Sequence, residues 1–229
     1  MTLAENDVSV INQALDWAYD QAVNGFGVLG SAQSLADGYM KNNKNKIDAA
    51  NSLIRWQNTK AATGGFVTNL GGLITLPVAI PANFSSSLCI QLRMIAGIAH
   101  IGGHDVHDDR IKTLCFVCLT GNSLNGALSA AGVKFGTKFT TQAIEKYITA
   151  GMMKTINRLV GFRLVTKAGT TGIVNITKLV PLVGGVIGGV FDGVTTNIIG
   201  NKARDMFISL PEDLDSDDAK DSSEHKELS

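Results

Sequence analysis

The sequence predicts an all-α fold: a compact helical domain over residues 1–210, with an N-terminal amphipathic helix and a glycine-rich C-terminal helix, followed by a disordered acidic tail over 211–229. Three observations predict it. Apolar residues recur at helical spacing in the long segments, the 25 glycines sit inside apolar runs rather than in linkers, and the stretch from Pro211 onward holds eight acids, two bases and very little that is apolar. A chain of 229 residues can bury one sizeable core. Its charged fraction of 17% is below the roughly 25% of ordinary soluble domains, which points to unusual burial or to contact with lipid.

The first helix is expected over residues 7–23, DVSVINQALDWAYDQAV, with Asp7 accepting its first free amide hydrogens. KNNKNKIDAA then reads as a polar connection and the start of a second helix. From Ala61 to Leu92 no residue is charged, a length that would suit a membrane span. Pro77, Pro81 and the Gly71-Gly72 pair instead divide it into short buried or interfacial pieces. After Pro81, ANFSSSLCIQLRMIAGIAHI fits one helix with Ser86, Arg93 and His100 on a narrow polar line. Gln91 falls on the opposite, apolar side, where its amide needs a buried partner.

In YITAGMMKTINRLVGFRLVTKAG, Lys154 and Arg158 oppose Met153, Ile156 and Leu159, whereas Arg163 and Lys167 fall about half a turn away. A break is therefore expected near Gly161. The last helix follows Pro181, with Leu182, Val183, Val186, Ile187, Val190 and Val194 on one side. Gly184, Gly185, Gly188, Gly189 and Gly193 fill the other in interleaved Gly-x-x-x-Gly rows that admit a neighbouring backbone. Asp192 lies on that small-residue face and needs a cation or a hydrogen-bond donor, with Arg93 favoured over Arg163, Lys167 or Lys178.

The neutral total hides an asymmetry, since the tail is near −6 and the remainder near +6. Between Lys134 and Lys178 there are eight bases and one acid, which makes this the electropositive part of the chain. The first twenty residues hold Glu5, Asp7, Asp16 and Asp20 and no base, the wrong start for a signal peptide. Three cysteines in apolar surroundings do not describe a disulfide framework either, so a cytoplasmic, reducing location is expected.

The run GHDVHDDRIKTLCFVC concentrates histidines, aspartates and a Cys-x-x-Cys pair, as a metal site would. Zinc-binding helices place both imidazoles on one helical face, but His100 and His104 are separated by Ile-Gly-Gly, which ends a helix. Asp105 and Asp108 stand where carboxylates cap the helix of IKTLCFVCL, and Arg110 is expected to close onto Asp105 or Asp109. Cys115 and Cys118 lie inside that apolar helix and read as small core residues. No metal and no cofactor is expected. A phosphate-binding Gly-x-x-x-x-Gly-Lys loop and a Gly-x-Ser-x-Gly elbow are both missing, and the basic segment lacks the aromatics and recognition module of a nucleic-acid binder.

Taken together, ALDWAYDQAVNG, AATGGFVTNLGGLITLPVAIPANFSSSLCIQLRMIAGIAHIGGHD and INRLVGFRLVTKAGTTGIVNITKLVPLVGGVIGGVFDGVTTNIIGNKARDMF resemble the EcsC family of bacterial proteins. The resemblance implies an all-helical fold and a bacterial source, with no established activity to carry over. The family takes its name from a member encoded beside an ABC transporter. Gly102 and His104 depart from the aromatic residues expected before the aspartate matched by Asp105.

The function expected is non-enzymatic: peripheral association with the cytoplasmic face of the membrane, or with a membrane partner such as a transporter. Anionic headgroups would meet Lys154, Arg158, Arg163, Lys167 and Lys178, and self-association is compatible with the glycine rows. The alternative is a soluble enzyme of unidentified reaction with a polar site around Arg93, Asp105 and Arg110.

Overall fold

A computed structural model describes residues 3–25, 29–62, 82–133, 140–169 and 185–208; at the helix ends 3–7, 60–62, 82–86, 165–169 and 185–194 it describes the backbone alone. The expected breaks at Gly71-Gly72 and Pro77, Gly184 and the acidic tail lie outside the described residues. Among those residues every regular element is helical: α1 Leu3–Asn24, α2 Ala32–Lys41, α3 Lys46–Ala62, α4 Ala82–Gly102, α5 Asp109–Cys118, α6 Leu124–Ala130, α7 Thr141–Tyr147, α8 Ala150–Gly169 and α9 Gly185–Phe207, with one 3-10 turn at Gly121–Ser123.

α4 forms the axis of the fold. It begins after Pro81, as expected, and its apolar period buries Leu92, Met94, Ile95, Ala96, Ile98 and Ala99 completely. α1, α2, α3, α5 and α9 all pack against it. Each large aliphatic side chain so enclosed contributes about 1.5–3 kcal/mol. α3 and α9 form the most extensive helix pair among the described residues. They come close because Gly200 stands against Ile54, whose Cγ1 would lie 2.7 Å from an added Cβ, and Arg204 Nη1 donates to Asn51 Oδ1 at 2.6 Å beside that contact.

The end of α4 is specified residue by residue. Gly103 takes φ +101°, the His104 amide donates to the Ala99 carbonyl at 3.1 Å, and the Gly103 amide donates to His100 at 2.9 Å, which together close the helix. Lys46 Nζ, at the start of α3, donates to the Gly102 carbonyl at 2.9 Å. Gly102 has no room for a side chain, because an added Cβ would meet the Phe207 carbonyl oxygen at 2.1 Å. The aromatic residue expected there could not fit in this chain.

Three features differ from expectation. α1 starts at Leu3, so Asp7 lies inside the helix rather than capping it; Leu, Ala and Glu are favourable helix formers that carry the first turn. A further helix, α2, precedes KNNKNK, capped by Ser31 Oγ, which accepts from the Ser34 amide at 3.0 Å. Finally, α8 runs unbroken through Gly161. Gly161 is buried against α1, with Asn12 Oδ1 2.7 Å from an added Cβ, so it serves a helix crossing. Of the two bases out of phase, Arg163 is half-buried and reaches the Ser123 carbonyl, to which its Nη1 donates; the Lys167 side chain lies outside the described residues.

Two glycine substitutions should move stability in opposite directions. Gly102→Ala forces a backbone contact apart and should lower unfolding free energy by about 1–3 kcal/mol or more. Gly38→Ala, on the exposed side of α2 with nothing within 4 Å of its added Cβ, should raise it by about 0.5–1 kcal/mol. Urea titration of both variants reads the difference, and equal effects would contradict the packing at Phe207.

Candidate functional site

Both basic side chains of α4 turn toward α2. Arg93 is half-buried, and its Nε donates to the Gly30 carbonyl at 2.6 Å, on the connection leading into α2. Seven residues later His100 sets Nε2 3.2 Å from Asp37 Oδ1. The polar line seen in the sequence thus faces α2; the side chain of Ser86 lies outside the described residues. Gln91 on the other side is half-buried rather than sealed in the core, and among the described residues its amide has no hydrogen-bond partner.

The two basic side chains are answered unequally. His100 meets a carboxylate, whereas Arg93 meets a neutral carbonyl and pairs with no acid among the described residues. The sequence points to Asp192 as its partner; the structure gives it a backbone oxygen, and the Asp192 side chain lies outside the described residues. Burial pulls the Arg93 guanidinium below its ordinary value, opposed by Tyr39. Burial likewise pushes the Tyr39 phenol up, with Arg93 opposing, so Tyr39 keeps its proton at neutral pH.

Around Arg93 a groove of about 730 Å³ opens between α2 and α3, lined by Gly30, Ser34, Leu35, Gly38, Tyr39, Asn42, Asn43 and Ser52. Its polar lining is hydroxyl, amide and one cation, with no carboxylate, beside the apolar Leu35. Sequence reasoning found Arg93 but missed the rest, because it missed α2. The available signal was Ser31 followed three residues later by Ser34, with Ser34, Gly38 and Asn42 at four-residue spacing beyond it.

Asp105 and Arg110 lie elsewhere. Asp105 Oδ1 accepts from the His107 amide at 2.9 Å, and Asp108 is the N-cap of α5, its Oδ1 accepting from the Arg110 amide at 2.7 Å. Arg110 Nη1 reaches Asp108 Oδ2 at 3.1 Å and its Nε reaches the Ile148 carbonyl at 3.3 Å. It closes on Asp108, not on Asp105 or Asp109. Arg93 stands about 13 Å before the end of α4 at a rise of about 1.5 Å per residue, and no described cavity or hydrogen bond joins it to the other two.

His104 and the two cysteines of the histidine and cysteine run are engaged in packing. His104 is 5% exposed, with Nε2 3.1 Å from the Phe207 carbonyl and its ring edge-on to Phe207 at 5.4 Å. Tyr19 donates its hydroxyl to the buried Val106 carbonyl at 2.8 Å and meets Phe116 edge-on at 5.7 Å. Cys89, Cys115 and Cys118 are all buried, and burial pushes the Cys115 and Cys89 thiols up to about 12, far from the thiolate that metal binding or nucleophilic attack needs. Among the described residues no three His, Cys, Asp or Glu side chains converge as metal ligands would.

On α8, Lys154 and Arg158 are exposed and share a second cavity of about 540 Å³ with Asp16, Asp109 and Lys112, where Lys112 Nζ lies 2.9 Å from Asp16 Oδ1. Lys167 belongs to α8 and Gly185, Gly188, Gly189 and Gly193 to α9, described there by backbone alone. Lys178 lies outside the described residues. Among protein-family models, that of the EcsC protein family matches residues 19–208. No curated protein and no solved structure matches the chain.

His104 should make folding pH-dependent. Burial holds its imidazole below the ordinary range, Lys46 adds to the fall and the Phe207 carbonyl opposes it. The unfolded chain therefore takes up a proton near pH 6.5 that the folded chain refuses, and stability falls as pH drops through about 6.5 toward the lowered value. In urea titrations at about pH 7.5 and pH 5.5, His104→Gln should lose less stability on acidification than the unaltered chain. An identical loss in both would mean that His104 is not the group responsible.

Proposed function

The chain belongs to the EcsC protein family, and from that premise and the charge along α8 we propose that it acts without chemistry of its own, docking peripherally on an anionic membrane surface at the cytoplasmic face. The observation that carries this is the exposed stripe Lys154, Arg158 and Phe162, at four-residue spacing on α8, with Phe162 50% exposed. Over residues 150–164 that helix holds three bases and no acid. Cations at headgroup level with an aromatic ring at the interface are the composition of a surface-bound helix.

No helix among the described residues is long and apolar enough to cross a membrane, and the proposal concerns attachment by a face. Each base held near such a surface contributes about 1 kcal/mol, so two of them supply reversible, salt-sensitive retention. Lys167 and Lys178 extend the same basic segment in sequence.

Co-sedimentation with vesicles tests the proposal. Vesicles rich in phosphatidylglycerol should retain the chain at low salt and release it at high salt, while pure phosphatidylcholine should retain less. Lys154→Glu with Arg158→Glu should lower retention about tenfold or more. Retention that ignores both lipid charge and these substitutions would sink the reading. Binding confined to native membranes, absent from protein-free vesicles, would replace the bilayer with a membrane protein as the partner.

A further inference from the structure

We propose that the groove between α2 and α3 around Arg93 binds a terminal phosphate group, the chemistry shared by a soluble phosphomonoester and the headgroup of phosphatidic acid. Such a site needs a cation that the protein itself leaves unneutralised, held in a fixed direction. Arg93 meets both needs: its Nε is anchored on the Gly30 carbonyl at 2.6 Å, while no described acid pairs with its outer nitrogens. An anchored guanidinium presents its remaining N–H groups as a fork, the geometry that takes two oxygens of an oxyanion.

Among the described residues the neutral lining uses most of its donors internally and leaves three spare. Ser34 and Ser52 give their hydroxyl protons to the Ser31 carbonyl and to Asn43 Oδ1, each at 2.9 Å. Asn42 and Asn43 each give one amide hydrogen to a backbone carbonyl, at Gly38 and Tyr39, both at 2.8 Å. The second amide hydrogen of each asparagine and the Tyr39 hydroxyl are left over. Ser52 Oγ in turn accepts from Arg55 Nη2 at 3.1 Å, which brings a second arginine next to the lining. A planar carboxylate would be satisfied by the Arg93 fork alone. A phosphate, with three acceptor oxygens and close to two negative charges, uses the fork and the neutral donors together, with the Arg55 charge nearby.

The groove is also open where a ligand must enter. Gly38 lines it, and a Cβ added there meets nothing within 4 Å. The site is built on α2, α3 and α4 and not on α8, so it stands or falls separately from the surface reading above.

The test uses the full chain and two variants. Arg93→Gln removes the cation; Gly38→Phe fills the groove from a position that touches no packing, and decides the matter if the first variant does not fold. Calorimetric titration with inorganic phosphate and with glycerol 3-phosphate probes the soluble source. Co-sedimentation with phosphatidylcholine vesicles, with and without phosphatidic acid, probes the lipid source. The expected result is saturable binding in at least one arm, one ligand per chain in solution, weakened about tenfold or more by each folded variant. Binding to glycerol 3-phosphate assigns a soluble ligand, and response to phosphatidic acid alone assigns a headgroup. Charge reversal at Lys154 and Arg158 should leave the soluble titrations unchanged. Failure of the unaltered chain to bind any of these probes, or binding that Gly38→Phe leaves unchanged, overturns the proposal.

Discussion

A helix enclosed by five others tolerates very little polarity, and α4 sets the terms for the rest of the fold. With α1, α2, α3, α5 and α9 packed around it, every polar group it carries must be met by a neighbour or led out to solvent. His100 is met by Asp37, and Arg93 is led toward the face where α2 crosses. α2 is short, at ten residues, and its position follows from that requirement as much as from its two buried alanines, Ala32 and Ala36. The guanidinium, which no acid among the described residues neutralises, and the groove beside it are products of the same arrangement.

The C-terminal end of α4 ties the enclosure together. Gly102 lets the Phe207 carbonyl approach, His104 then bonds that carbonyl, and Lys46 holds the Gly102 carbonyl from the other side. The ends of α4 and α9 and the start of α3 are thereby fixed through backbone groups at one junction. A histidine serves here because one ring nitrogen can donate to Phe207 while the ring itself packs edge-on against the phenylalanine. Nothing in this arrangement asks His104 to be charged, and burial opposes it.

Much of this was legible in the sequence, for definite reasons. The apolar period of α4, the cap at Asp108 and the inert thiols of Cys115 and Cys118 are local properties that spacing reveals. The bond from Arg93 Nε to Gly30 was not legible, since a backbone carbonyl has no residue identity and any residue could have supplied it. α2 was missed because Gly38 and its polar positions weaken the helical pattern, and those positions line the groove. The continuity of α8 was missed because periodicity treats a long arginine as a fixed vector, whereas Arg163 bends to the Ser123 carbonyl. Of the polar residues grouped in advance, Arg93 alone lines the groove; Asp105 and Arg110 instead order the turn into α5.

The central claim is that the fold holds one arginine in place yet leaves its charge open to a ligand. The nitrogen resonances of the arginine side chains read this directly. The account predicts that the Arg93 Nε–H, assigned by its loss in Arg93→Gln, exchanges slowly with water because it is bonded to Gly30, and shifts on addition of inorganic phosphate while the Arg158 signal stays near its original position. An Arg93 signal in fast exchange, or one that phosphate moves no more than the exposed Arg158, would contradict it.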